Sequence, residues 1–130
     1  MKIAIIVPME EEAEFYKKHF KSENKEVFGT TEFDHFSVNG NDIYLGLSGI
    51  GKVNAAMNLT SLLTKEDIDL IFMTGSAGSL QEDVKRKDLI LPNKFMYYDA
   101  HNTSAGNYVE GQIPQEPAGY TLDNAFRAKF

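Results

Sequence analysis

A carboxylate and a glycine-lined wall are the parts of this sequence best equipped for chemistry. Met9-Glu10-Glu11-Glu12 follows the first apolar run, and Thr74-Gly75-Ser76-Ala77-Gly78 follows a later one. Each stands where a strand ends and a loop or helix begins, and in open α/β sheets ligands bind in the crevice at the carboxyl ends of the strands. Glu12, in the first turn after a strand end, offers a carboxylate that reaches into such a crevice and can orient and deprotonate a water. The plainer reading of the acidic run is a helix first turn, where the dipole favours negative charge. That reading fits Glu10 and Glu11, which are expected to face solvent. Gly75 to Gly78 lacks bulky side chains, so a flat ring can approach the backbone and meet free amides. A simple turn is the alternative there. Together the two runs point to a small-molecule site of hydrolytic type.

Other runs carry less. Gly49-Ile50-Gly51-Lys52 lacks Walker-loop spacing, and nothing matches the dinucleotide glycine fingerprint. It reads as a tight strand-to-helix connection needing positive φ, with Ile50 near a ligand and Lys52 a solvated charge. Ser76 has no Ser-His-acid set around it and is not read as a covalent nucleophile. Asp99-x-His101 is too sparse for a metal or catalytic pair. Tyr97, Tyr98, Tyr108 and Tyr120 suit either ordinary packing or an apolar cover for a ligand.

The elements that must position these residues are legible as patterns. Lys2 to Val7 is β-branched and continuous, a strand buried on both faces, and Pro8 stops it. From Met9 the period becomes helical, with Met9, Ala13, Tyr16 and Phe20 on one face. Ser22 to Thr30 is polar and reads as loop. Glu32 to Val38 and Ile43 to Leu47 flank the turn signal Asn39-Gly40-Asn41-Asp42 and predict a hairpin. Val53, Ala56, Met57, Thr60 and Leu63 mark a second helix. Asp69 to Thr74 is a further buried strand, with shorter strands expected at Asp88 to Leu91 and at Phe95 to Tyr98. Asn102 to Tyr120 has no clear period, and a loop of that length is functional or disordered. Leu122, Ala125, Phe126 and Lys129 open a last helix. Two helices and a stub for five or six strands leave one sheet face poorly covered, which suggests a missing carboxyl-terminal part. The expected fold is three-layer α/β, a mixed central sheet flanked by helices, with residues 1–130 the amino-terminal part of one domain.

Composition narrows the function classes. The chain has 130 residues and a net charge of −6. Its one basic cluster is Lys85-Arg86-Lys87, so it lacks the footprint of a nucleic-acid binder. It has no cysteine, and three widely spaced histidines (His19, His35, His101), which give no zinc pattern. The longest apolar run, Ile3 to Val7, is too short to span a bilayer and lacks the features of a signal peptide. A cytoplasmic protein without membrane or nucleic-acid partners is expected.

Four motifs together make the sequence less anonymous. They are Met-Glu-Glu-Glu at 9–12, Ser-Gly-Ile-Gly-Lys-Val-Asn-Ala-Ala at 48–56, Thr-Gly-Ser-Ala-Gly at 74–78, and Tyr-Asp-Ala at 98–100 with Gly-Gln-Ile-Pro at 111–114. In this order and spacing they closely resemble the 5′-methylthioadenosine/S-adenosylhomocysteine nucleosidases of the nucleoside phosphorylase superfamily, over roughly the first half of a family member. The resemblance implies hydrolysis of the N-glycosidic bond of both nucleosides, with release of adenine and a place in methionine salvage. It assigns Glu12 to water activation, Ser76, Ala77 and Gly78 to the wall beside purine and ribose, and Met9 and Ile50 to positions near the ribose and the attacking water. Ile113 and Pro114 correspond to a pocket of the partner subunit in a homodimer. No cofactor or metal is implied. The family's acid at the purine and its ribose-gripping glutamate belong to the later half, and neither role is carried to Asp99 or Asp123. An isolated chain of this length is therefore expected to have little activity. Tyr98-Asp99 stands where the family often has His-Asp, and 102–109 is more polar than usual. The competing readings are a shortened, non-catalytic nucleoside-binding paralogue and, with less support, a purine nucleoside phosphorylase. The carboxylate of Glu12 would repel a phosphate co-substrate.

Overall fold

The computed structural model describes residues 1–122 and 124–128. They fall into two compact units, Met1–Gly78 and Ser79–Phe130.

In the first unit, β1 (Lys2–Val7) is followed by α1 (Glu10–His19). Then come the strands β2 (Asn24–Phe28), β3 (Thr31–Val38) and β4 (Asn41–Leu47), α2 (Lys52–Leu63) and β5 (Leu70–Met73). The five strands form one mixed sheet in the order β2-β3-β4-β1-β5. β1 is parallel to both neighbours, β4 and β5, while β3 runs antiparallel to β2 and β4. The predicted hairpin is present, with Val38 opposite Asn41.

Alternation along β1 splits the core in two. Ala4 and Ile6 pack with Phe28, Phe33, Tyr44 and Leu62 of α2. Val7, with Ile3 and Ile5, packs against Ala13 and Tyr16 of α1, and with Phe36 and Leu45. A strand covered on both faces needs apolar residues at every position, which is why this segment reads as a continuous run. Each sheet face thus carries one helix. Poorly covered apolar surface is found on β5, whose Ile71 and Met73 are 42% and 66% exposed. Both lie in register with Ala4 and Ile6, on the α2 side.

β2 lies within the stretch that reads as loop. It is an edge strand with little burial, held by backbone pairing to β3 and by Lys25, which reaches Glu32 at 2.6 Å and Asp34 at 3.8 Å. Its polarity is that of an edge exposed to water, which hides a strand from hydrophobic patterning.

The second unit is mostly irregular. β6 (Lys94–Phe95) pairs antiparallel with β7 (Tyr120–Thr121), with a 3₁₀ turn at Thr103–Ala105 between them and the short α3 (Asn124–Arg127) after them. The strand expected at Phe95 to Tyr98 is reduced to Lys94–Phe95. The one expected at Asp88 to Leu91 does not form, and Leu89 is fully exposed. β-branched and apolar residues make a strand only where a partner supplies the ladder, and none does among the described residues. The last predicted helix is present as α3, with Lys129 outside the described residues.

Candidate active site

Because β4, β1 and β5 are parallel, their exits lie along one edge of the sheet. The loops after Val7, Leu47 and Met73 therefore share that edge, and α1 and α2 leave it on opposite faces. In open sheets of this kind the space above the carboxyl ends of the strands is the usual ligand position.

Glu12 sits in the first turn of α1, where the Glu12 and Ala13 amides donate to the Met9 carbonyl at 3.2 and 3.3 Å. Its carboxylate crosses to the loop after β5. Oε1 accepts hydrogen bonds from the Ser76 backbone N–H at 2.7 Å and from the Ser76 hydroxyl at 2.8 Å. Oε2 is buried and has no hydrogen-bond partner among the described residues. The backbone donor and then the hydroxyl of Ser76 hold the Glu12 carboxyl below its ordinary value, against an opposing effect of burial. The group is thus a carboxylate at neutral pH, with one oxygen anchored and the other open to a donor.

Gly75 lies close beneath this contact. A Cβ at that position would stand 3.0 to 3.1 Å from the Glu12 carboxylate atoms. One turn along α1 from Glu12, the Tyr16 hydroxyl donates to Thr74 Oγ1 at 3.1 Å. Thr74 is itself fixed by its amide, which donates to the Ile6 carbonyl at 3.0 Å and extends the β1–β5 ladder.

The Ser48 to Gly51 connection is built as the sequence predicts. Gly49 and Gly51 have φ of +74° and +97°, a region that favours glycine. Asn58 of α2 is buried and donates through Nδ2 to the Ser48 carbonyl at 2.7 Å, so α2 pins the loop that carries Ile50. Ile50 is exposed, as are Ser76, Ala77 and Gly78.

Of the sequence-predicted residues, the structure joins Glu12 to Ser76 directly. It places Met9, Ile50, Ala77 and Gly78 on the loops of the same sheet edge. Ile113 and Pro114 lie in the second unit, where the Glu116 amide donates to the Ile113 carbonyl at 3.0 Å. His101 pairs with Glu110 in that unit, and among the described residues no acidic or histidine group is disposed to hold a metal. Asp123 lies outside the described residues. Glu10 and Glu11 are exposed as expected, and Glu10 binds Lys17 at 2.7 Å. Sequence reasoning assigned no part to Tyr16 or Thr74 individually. The only signal was that Tyr16 lies four residues after Glu12, on the same side of a helix.

Comparison with known proteins finds relatives across nearly the whole chain. The family model described as the phosphorylase superfamily matches residues 2–130. The 5′-methylthioadenosine/S-adenosylhomocysteine nucleosidase of Bacillus licheniformis is 38% identical over 125 residues, covering 96% of this chain and 54% of the relative. The nucleosidase of Maridesulfovibrio salexigens is 40% identical over 123 residues, covering 95% and 53%. Among solved structures, the S. pneumoniae nucleosidase bound to the transition-state inhibitor MT-ImmA superposes with a TM-score of 0.90 at 31% identity, covering 99% of this chain and 56% of that one. The Colwellia psychrerythraea nucleosidase in complex with adenine gives 0.91 at 30% identity, covering 98% and 52%. The chain spans about half the length of the curated relatives it matches.

Proposed function

The chain belongs to the phosphorylase superfamily, and on that premise we propose that it forms the amino-terminal portion of a nucleosidase that hydrolyses the N-glycosidic bond of 5′-methylthioadenosine and S-adenosylhomocysteine. The observation that carries the reading is the divided Glu12 carboxylate: Oε1 is held by both donors of Ser76, and Oε2 is buried and has no hydrogen-bond partner among the described residues. Oε2 is the site for the attacking water. Glu12 accepts its proton as it adds to the anomeric carbon, and the remaining negative charge faces an oxocarbenium-like transition state. Ser76, Ala77 and Gly78 line the purine and ribose, with Met9 and Ile50 beside the ribose and the water.

The acid that protonates the leaving adenine and the group that grips the ribose hydroxyls come from residues beyond this chain, so the 130-residue piece alone has little or no turnover. The working form is a cytoplasmic homodimer in which Ile113 and Pro114 close the partner's thio-substituent pocket, and no cofactor takes part. Among the described residues, no helix is long and apolar enough to cross a membrane.

The test is an adenine-release assay on both nucleosides without phosphate, beside an intact-mass measurement. The expected result is release by a species of about twice 14.6 kDa per chain and its loss in Glu12→Gln. Release by pure 14.6 kDa material would remove the need for residues beyond Phe130. Nucleoside binding without turnover at either mass would overturn hydrolysis in favour of a binding paralogue. A requirement for phosphate would turn the reading to phosphorolysis.

A further inference from the structure

We propose that Tyr16 is a positioning residue for Glu12: its hydroxyl, donated to Thr74 Oγ1, clamps α1 to the exit of β5 and fixes the carboxylate in the crevice. The proposal rests on the assignment of Glu12 as the water-activating group. The contact itself is independent of that assignment.

Glu12 occupies a weak part of its helix. Met9, the N-cap residue of α1, makes no side-chain capping hydrogen bond. The first turn of a helix without such a cap keeps orphan amides and frays readily. Two ties reach this stretch from the end of β5. Ser76 holds Glu12 through two donors, and Thr74 accepts from Tyr16 at 3.1 Å. The spacings match. Residues four apart on a helix lie about 6 Å apart along one face, and residues two apart in extended chain lie about 6.6 Å apart. The pairs Glu12–Ser76 and Tyr16–Thr74 are therefore successive rungs of one ladder between α1 and the β5 exit.

The rungs have different fates in catalysis. The Ser76 rung ends on the carboxylate, which becomes a weaker acceptor when Glu12 takes a proton at Oε2. The Tyr16 rung ends on two neutral hydroxyls and is indifferent to that change. Its foundations are also firmer. Tyr16 is half-buried in the α1-side core with Val7 and Ala13, its ring meets Phe15 edge-on at 6.1 Å, and the Thr74 amide is tied to Ile6. Tyr16 thus keeps α1 in register with β5 while the carboxylate reacts.

The experiment uses Tyr16→Phe, which keeps the ring and its packing, and Thr74→Val, which removes the acceptor from the other side. Thr74→Ser is the rescue variant, since it restores the hydroxyl. The first readout is the hydrogen-exchange rate of the Ser76 amide in the 130-residue chain, measured by NMR with thermal unfolding alongside. It requires no turnover. In Tyr16→Phe and Thr74→Val the Ser76 amide should exchange about 3- to 10-fold faster, the loss expected for one neutral hydrogen bond. Amides of the β3–β4 hairpin should be unaffected, and Thr74→Ser should match the parent. The second readout is adenine release by the nucleosidase-active protein, where kcat should fall by a similar factor with little change in KM. Unchanged Ser76 exchange in both variants would overturn the clamp. Equal acceleration at Ser76 and in the β3–β4 hairpin would also overturn it, by reducing Tyr16 to a general stabiliser. Altered Ser76 exchange with no adenine release from any form would leave the clamp standing and remove the nucleosidase reading instead.

Discussion

Glu12 uses one oxygen for both donors of Ser76, while the other has no hydrogen-bond partner among the described residues, and this asymmetry governs what substitutions there should do. In nucleosidase-active protein, Glu12→Gln removes the proton acceptor while keeping the shape, and kcat should fall about 10²- to 10⁴-fold in a steady-state adenine-release assay. The pH profile carries a sign. Hydrogen bonds from Ser76 hold the Glu12 carboxyl below its ordinary 4.5, so activity dependent on the carboxylate should persist below that pH and fail only as Glu12 is protonated. Ser76→Ala keeps the backbone donor and loses the hydroxyl. The acidic limb should therefore move to higher pH, which a kcat against pH series measures. At Gly75 a Cβ would stand 3.0 to 3.1 Å from the carboxylate atoms, so the Glu12 side chain would have to shift by a few tenths of an ångström to admit it. These effects were only half legible in the sequence. The Glu12 and Ser76 positions carried family motifs, but the hydrogen bonds between them join residues 64 apart in the chain, a separation no local pattern spans.

At the scale of elements, two contacts explain how the strands and their exits hold position. Phe33 lies over Gly46 across the β3–β4 pair, where a Cβ would stand 2.2 Å from the ring. Gly46→Ala should therefore destabilise the first unit by about 1–3 kcal/mol through overpacking, measured by urea unfolding. Asn58 holds the buried Ser48 carbonyl, and Asn58→Ala should cost about 1–3 kcal/mol by leaving it unpaired. At the opposite end of β1, the Lys2 ammonium donates to Glu66 at 2.6 Å. That hydrogen bond is the largest influence lowering the Glu66 carboxyl below 4.5 and raising Lys2 above 10.5. For Glu66 the contribution to stability is complete above the unfolded value and fades as pH falls through the lower folded one. For Lys2 it is complete below 10.5 and fades as pH rises through the higher folded value. Glu66→Gln should flatten both limbs of a curve of unfolding temperature against pH. Periodicity found β1, α1, β3, β4, α2 and β5. It missed β2, whose burial is slight and whose order comes from pairing with β3.

Across the whole molecule, the exposed apolar edge strand is β5. Leu70 to Met73 is four apolar residues without a charge, at the edge of the sheet, with Met73 66% exposed. An uncharged apolar edge invites pairing with other chains. The 130-residue chain should self-associate with rising concentration, and Met73→Lys should reduce that association in light scattering while leaving the hairpin intact. By itself the sequence determined the strands with strong apolar runs, the helical faces, the positive-φ glycine connection and the family, because each is written in local period or in motif order. It also placed Glu12 at a strand exit. Only the tertiary structure decided that Glu12 meets Ser76, that Gly75 lies close beneath that contact, that Tyr16 reaches Thr74, and that Asp88 to Leu91 is no strand. Each of those outcomes depends on the presence or absence of a partner distant in sequence, and a side chain carries no local record of what the fold will set against it.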